Sequence, residues 1–113
     1  MATAFKNVLQ SEIGVTEVEI INVATAARAT VIGLSLTNLT GGIILASIRL
    51  ENTVASSPND SAYYIKEVVL PPNQSLRVIN GGEKLVLAGD MKVYVSSNAA
   101  ASIDLIASYV EIT

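Results

Sequence analysis

The chain has 113 residues, of which 50% are hydrophobic and only 15% are charged, and its net charge is −3. That length predicts one domain, and a charged fraction well below the usual figure of about 25% predicts that neighbouring molecules cover part of its surface. The basic residues are scattered singly, so no basic stripe for nucleic acid exists. The absence of Cys removes a thiolate nucleophile, and the absence of His removes the commonest general base and the commonest transition-metal ligand.

The first ten residues are interpreted as a short N-terminal arm, and residues 11–113 as a single domain. Phe5, Val8 and Leu9 give this arm apolar side chains at an otherwise free terminus. Exposed apolar side chains that cluster are typical of interaction sites. We therefore expect these three side chains to contact another subunit.

Three half-buried strands follow, because apolar and polar residues alternate with a period of two. They cover residues 15–22, 29–38 and 43–52. In the second of these strands, the alternation places Ile32, Leu34 and Leu36 on one face. Residues 38–42 contain Asn and two Gly, which favours a hairpin turn between the second and third strands.

The second half shows the same alternation in shorter pieces that are separated by turn residues. Predicted strands cover residues 62–70, 75–79, 84–87, 92–97 and 102–112. Pro71 and Pro72 must interrupt strand pairing, because proline has no backbone N–H to donate. Asn80-Gly81-Gly82 is expected to close a hairpin, and residues 53–61 to form the longest exposed loop.

These eight or nine strands predict the fold class. Short strands that recur roughly every 8–12 residues, with no helical spacing sustained for three turns, are typical of an all-β fold. We therefore predict an antiparallel β-sandwich that resembles a jelly roll.

Two of the predicted strands, residues 62–70 and the last one, are apolar on both faces. A sandwich has one interior, so the second apolar face is expected to lie against another subunit in a symmetric homo-oligomer. Together with the arm, this gives a predicted interface formed by Phe5, Val8, Leu9, Tyr64, Val68, Ile106, Val110 and Ile112.

No catalytic residue, metal site or cofactor is predicted. Glu17 and Glu19 have the spacing of a carboxylate pair, but a solvated strand face explains them better. Oxygen ligands from Asp60, Glu83 or Asp90 lack the Asp-x-Asp-x-Asp spacing of a calcium loop. Residues 81–84 lack the spacing of a phosphate-binding P-loop.

Tyr63 and Tyr64 are adjacent, so on a strand they point to opposite faces. This arrangement suits one tyrosine in the core and one at a protein interface. A carbohydrate- or receptor-binding module is the alternative interpretation. It requires either tyrosine to converge with Asn59, Asp60 or Asn73 in one exposed groove.

The first residues lack the apolar segment of a signal peptide, and the longest aliphatic stretch, residues 43–46, is far too short to span a bilayer. We therefore expect the chain to stay in the cytosol of the cell that synthesises it, unless an assembly carries it out, and to have no membrane partner.

A family pattern runs over residues 63–113. Its elements are Tyr63-Tyr64-Ile65, Leu70-Pro71-Pro72, Gly82-Glu83-Lys84-Leu85-Val86-Leu87, Gly89-Asp90 and Ser108-Tyr109-Val110-Glu111-Ile112. This half of the chain resembles small virion structural proteins of tailed bacteriophages, particularly marine and cyanobacterial ones. The resemblance implies an accessory, non-enzymatic β-protein of the virion that decorates the capsid or joins components at the neck or tail. Its implied partners are copies of itself and other virion proteins, and no catalytic residue is carried over. Within this group, the alternative is a carbohydrate- or receptor-binding module at a phage fibre or tail tip.

Overall fold

The computed structural model describes residues 2–53, 60–79 and 84–113, which form an antiparallel β-sandwich and confirm the predicted fold class. The strands are β1 (Thr3–Ile13), β2 (Val18–Asn22), β3 (Arg28–Asn38), β4 (Ile44–Asn52), β5 (Asp60–Leu70), β6 (Ser75–Ile79), β7 (Leu85–Leu87), β8 (Met91–Ser97) and β9 (Ile103–Ile112). Within those three ranges, no helix is long and apolar enough to cross a membrane.

The strands divide between two sheets. Sheet 1 has the order β1-β9-β3-β6, with β7 also paired to β3, and sheet 2 has the order β2-β8-β4-β5. Strands β6 and β7 pair with successive segments of β3, so together they act as one interrupted edge strand. With these two counted as one strand, each sheet has four strands and the topology is that of a jelly roll.

Both predicted hairpins are wrong. Strands β3 and β4 lie in different sheets, so the turn at residues 38–42 carries the chain across the sandwich instead of reversing it within a sheet. Strands β6 and β7 run in the same direction along β3 and do not pair with each other. Residues 80–82, which were expected to close that second hairpin, lie outside the described residues, as does most of the predicted loop at 53–61.

The residues expected to form the N-terminal arm lie in strand β1. Thr3 pairs with Ile112 and Gln10 pairs with Leu105, so this segment is hydrogen-bonded to β9 along its length. The side chains alternate, with Phe5 and Leu9 exposed and Val8 packed against the core. The first residues therefore form an edge strand of sheet 1.

A continuous aliphatic core fills the space between the sheets. Leu36 and Ile103 of sheet 1 and Ile48 and Val95 of sheet 2 are completely buried. All four belong to strands that were predicted from alternation. A strand with one side against the core buries every second residue, and this produces the alternation. The buried side chains fix which face of each sheet points outwards.

The predicted common face of Ile32, Leu34 and Leu36 is wrong for Ile32. A β-bulge between Val31 and Gly33 shifts the pairing with β9 by one residue. Before the bulge the odd-numbered residues of β3 point to the core, and after it the even-numbered residues do. Val31 and Leu34 are therefore both buried. Ile32 therefore points away from the core.

Candidate assembly interface

The outer face of sheet 1 is built from cross-strand rows of side chains. Residues that pair directly across neighbouring strands project to the same side. From one end of the sheet to the other, the rows are Thr3–Ile112–Arg28, Phe5–Val110–Thr30–Val86, Asn7–Ser108–Gly33, Leu9–Ile106–Ser35–Arg77 and Asp104–Thr37–Ser75. We call this surface the apolar face.

Large hydrophobic side chains are strongly exposed on the apolar face. Phe5 is 82% exposed, Leu9 73%, Val86 67% and Ile106 54%, and Ile32 and Ile112 are exposed beside them. Scattered apolar residues are normal on protein surfaces, but a contiguous patch of this kind marks an interaction site.

The side chains of the middle row project least from the sheet. Ser108 is small, and a Cβ atom added to Gly33 would meet no atom within 4 Å. Shallow grooves run along both sides of this row, and Ile32 lines both of them. Large side chains thus flank a central depression, which gives the face a relief that a partner surface can fill.

Charged residues lie at the ends and one side of the apolar face and not at its centre. Arg28 is exposed in the end row beside Ile112, whereas Asp104 occupies the opposite end row. The Glu12 backbone N–H donates a hydrogen bond of 3.1 Å to Asp104 Oδ1, which holds that carboxylate in place. Arg77 lies at the β6 side. A polar rim around an apolar centre is the usual composition of a protein interface.

The structure brings five of the predicted interface residues together on the apolar face: Phe5, Leu9, Ile106, Val110 and Ile112. The other three lie on the inner side of their sheets. Val8 pairs with the buried Ala107, Val68 pairs with the buried Ala46, and Tyr64 packs against the core. They are therefore left out of the interface proposed below, whereas a contact role for the other five stays a prediction.

Strand β5 explains why Tyr64 and Val68 were misplaced. The pairing of β5 with β4 shifts twice, once around Ser47 and once between Ile48 and Arg49. These irregularities turn Tyr64, Ile65 and Val68 towards the core and leave Tyr63 exposed. The apparent two-sidedness of residues 62–70 thus comes from β-bulges.

Two residues of the apolar face were missed in the sequence. Ile32 was assigned to the core because its bulge has no signature in the alternation pattern. Val86 alternates with Leu85 and Leu87, of which Leu87 is fully buried, so alternation alone could have identified it as exposed.

The outer face of sheet 2 is charged, in contrast to the apolar face. Arg49 donates hydrogen bonds of 2.9 and 3.0 Å to Glu17 and one of 3.0 Å to Glu51, and its guanidinium lies 4.5 Å from the centre of the Tyr94 ring. The hydrogen bonds to Glu17 and then Glu51 raise the pKa of Arg49 above its ordinary value. Lys92 lies 3.7 Å from Glu19. The sandwich therefore has two chemically different outer surfaces.

Glu17, Glu19 and Asp90, three of the carboxylates considered as catalytic or metal-binding groups, have structural partners. Glu17 is paired with Arg49, and Asp90 accepts a hydrogen bond of 2.7 Å from Thr25 Oγ1. In the part of the chain that the structure describes, no three His, Cys, Asp or Glu side chains come together as a metal site. Glu83 lies outside the described residues.

The residues named for a carbohydrate-binding module are spread along β5 and past its end, and that alternative stays a prediction. Tyr63 lies on β5, the edge strand of sheet 2, where it lines a shallow groove with Ser47, Lys66 and Asn98. Asp60 pairs with Asn52 at one end of β5. Asn73 follows Leu70, which pairs with Ile44 at the opposite end of that strand. Asp60 and Asn73 are therefore separated by the length of β5, and Asn59 lies outside the described residues.

The fold resembles that of subunits in two kinds of assembly. A subunit of the disulfide-linked pili that form Bacillus endospore appendages superposes with a TM-score of 0.51 and 12% identity, over 98% of this chain and 88% of the pilus chain. A protein of the infectious bursal disease virus particle also gives a TM-score of 0.51, with 7% identity over 96% of this chain and 35% of the viral chain. At these identities the similarity shows the fold alone.

No protein-family model matches the chain, and a comparison with curated proteins gives no match. Neither of the two structural neighbours is a tailed-phage protein, so the resemblance of residues 63–113 to that family stays a prediction.

Proposed function

We propose that this chain is a virion structural protein of a tailed bacteriophage, an accessory and non-enzymatic subunit that forms a symmetric homo-oligomer. It decorates the capsid or joins components at the neck or tail, and it stabilises the particle through protein–protein contacts. The observation that carries the proposal is the apolar face, because side chains as exposed as Phe5 and Leu9 need a neighbour to cover them.

Two further observations support this role. The chain shares its sandwich fold with a protein of a viral particle. Most of the ion pairs among the described residues lie on the outer face of sheet 2, whereas the centre of the apolar face carries no charged side chain. This leaves one side available for contacts and the other side hydrated. Such a division suits a subunit that meets a neighbouring subunit through one face and keeps the other face in water.

A second candidate is a subunit of a fibre. The Bacillus pilus subunit matches this chain over almost the whole length of both proteins, whereas the chain spans about a third of the viral protein. The two candidates differ in how subunits repeat, because a virion accessory protein closes into a ring or cluster and a pilus subunit forms an open helical polymer. Negative-stain electron microscopy of the purified protein separates them, with filaments favouring the fibre.

Sedimentation velocity on two matched variants tests the role of the apolar face. Ile106→Asp places a charge on that face, and Val69→Asp places the same charge on the outer face of sheet 2, where Val69 is 57% exposed against 54% for Ile106. We expect Ile106→Asp to weaken self-association at least about tenfold, whereas Val69→Asp leaves it unchanged. Equal behaviour of the two variants would contradict the proposal.

A further inference from the structure

The apolar face has a repeating arrangement about its middle row. The rows on the two sides of the Ser108–Gly33 row are alike. Each has one large apolar residue on β1 and another on β9. The paired positions are Phe5 with Leu9 on β1, and Val110 with Ile106 on β9. We propose that a second copy of this chain covers the apolar face, related by a two-fold axis that crosses the strands at Ser108.

The geometry of this dimer follows from the position of its axis. The two-fold axis lies midway between the two copies, parallel to the plane of sheet 1 and perpendicular to its strands. It turns the partner sheet over and reverses its strand direction. Ser108 then faces Ser108 of the other copy, Ile106 faces Val110, and Phe5 faces Leu9. Sheets that pack face to face in this way lie about 10 Å apart with nearly aligned strands.

The charges at the two ends of the apolar face favour this strand direction. Arg28 lies in the row of Ile112, and Asp104 lies in the row at the opposite end of β9. When the strands of the two copies are antiparallel, the Arg28 end of each copy meets the Asp104 end of the other. A parallel arrangement would place like charges together, which is unfavourable.

The size of the face also fits a second copy. Four strands about 4.8 Å apart and some ten residues long, at about 3.4 Å per residue, cover roughly 600 Å² of flat area. Side-chain relief adds to this area, and a stable interface buries about 800 Å² on each partner. Two such faces together bury roughly 1,200 Å², which is above the lower bound of about 1,000 Å² for a biological interface.

This inference rests on the proposed function, since it specifies how two copies of the chain associate through the apolar face. It adds a two-fold contact that a larger virion assembly or a fibre would contain as its repeating unit. The proposed function requires only that the apolar face associates, so the two claims fail separately.

Cysteine cross-linking tests the position of the axis, because the natural chain has no Cys. Ser108→Cys places a thiol on the axis, and Ser96→Cys places one in a half-buried position on the outer face of sheet 2 as a matched control. With a short bismaleimide, we expect Ser108→Cys to give a covalent dimer in high yield and Ser96→Cys to give little. Equal yields would overturn the proposed axis.

Charge reversal tests the strand direction. We expect Arg28→Glu to raise the dimer dissociation constant about tenfold at low ionic strength, and the added Asp104→Arg change to restore it. Arg77→Glu is the matched control, since it makes the same charge change on the same face at a position that does not meet Asp104. Thermal melts of each variant confirm that the fold is kept. Failure of the second change to restore association, or rescue of Arg77→Glu by it, would overturn the antiparallel arrangement.

The outcomes for the two claims are distinct. If Ile106→Asp dissociates the protein but Ser108→Cys does not cross-link, the apolar face associates in another geometry and the two-fold inference is wrong. If the natural chain is monomeric at all concentrations, both the inference and the proposed assembly are wrong.

Discussion

Asn38 shows how a single polar side chain holds the two sheets together. It is buried at the end of β3, and its Nδ2 lies 2.9–3.0 Å from the carbonyl oxygens of Gly42, Leu70 and Pro71. Its Oδ1 accepts hydrogen bonds of 2.8 Å from both the backbone N–H and the hydroxyl of Thr40. Asn38 therefore fixes the turn after β3 and the end of β5 at once.

Replacing Asn38 should destabilise the sandwich. Asn38→Ala leaves several backbone groups without a partner, and we expect the free energy of unfolding to fall by about 2–3 kcal/mol in chemical denaturation. The neighbouring Thr37→Ala removes only an exposed hydroxyl pair with Ser75 and should change stability by less than about 0.5 kcal/mol. Equal denaturation midpoints for these two variants would contradict the claim that Asn38 stabilises the sandwich.

Among the glycines of the described residues, Gly89 in the turn between β7 and β8 has the least room for a side chain. A Cβ atom at Gly89 would overlap the backbone carbonyl oxygen of Thr25, which belongs to a different loop. In this region Asp90 N–H donates to the Val23 carbonyl oxygen at 2.9 Å, and the Thr25 hydroxyl donates to Asp90. The two loops pack backbone to backbone because residue 89 is glycine.

Gly89 and Gly33 form a matched pair for testing this packing. Gly89→Ala should lower the free energy of unfolding by about 2 kcal/mol or more, because backbone atoms must move to admit the methyl group. Gly33→Ala should be neutral or raise stability by about 0.5 kcal/mol, since its Cβ meets open space within strand β3. Thermal unfolding of both variants, at a concentration where the association state is known, checks the difference.

The elements also show which features the sequence could predict. The alternation in β3, β4 and β9 correctly predicted strands and most of their buried faces, because burial of one side is a local property of a strand. Which strands pair is not local, and this is why the turn at residues 38–42 was taken for a hairpin. The one-residue shift that exposes Ile32 depends on pairing with β9 and left no trace in the sequence of β3.

The same reasoning explains the outcome for the candidate interface. The apolar residues of the last strand were identified because β9 is regular from Ile103 to Ile112, so its alternation is uninterrupted. Tyr64 and Val68 lie on β5, whose bulges turn neighbouring residues to the same side. Period-two arguments are reliable only where the pairing register does not shift.

At the scale of the whole molecule, the sandwich is a two-faced body of about 45 × 28 × 22 Å. Most of the ion pairs among the described residues lie on the outer surface of sheet 2, beside the exposed Tyr63 and Val69, whereas sheet 1 carries the larger group of exposed Phe, Leu, Val and Ile side chains. Exposed ion pairs contribute little to stability and keep a surface hydrated, while the apolar side gains free energy when it leaves water. This asymmetry underlies both the proposed structural role and the proposed dimer.

The most direct test of that asymmetry is the mass of the unmodified protein in solution, measured by multi-angle light scattering in dilute buffer and in 1 M salt. The account predicts a dimer, or a multiple of a dimer, of the 11.8 kDa chain that persists in 1 M salt, because apolar contacts are not screened. A monomer at every protein concentration in dilute buffer would contradict the claim that the apolar face is an assembly interface.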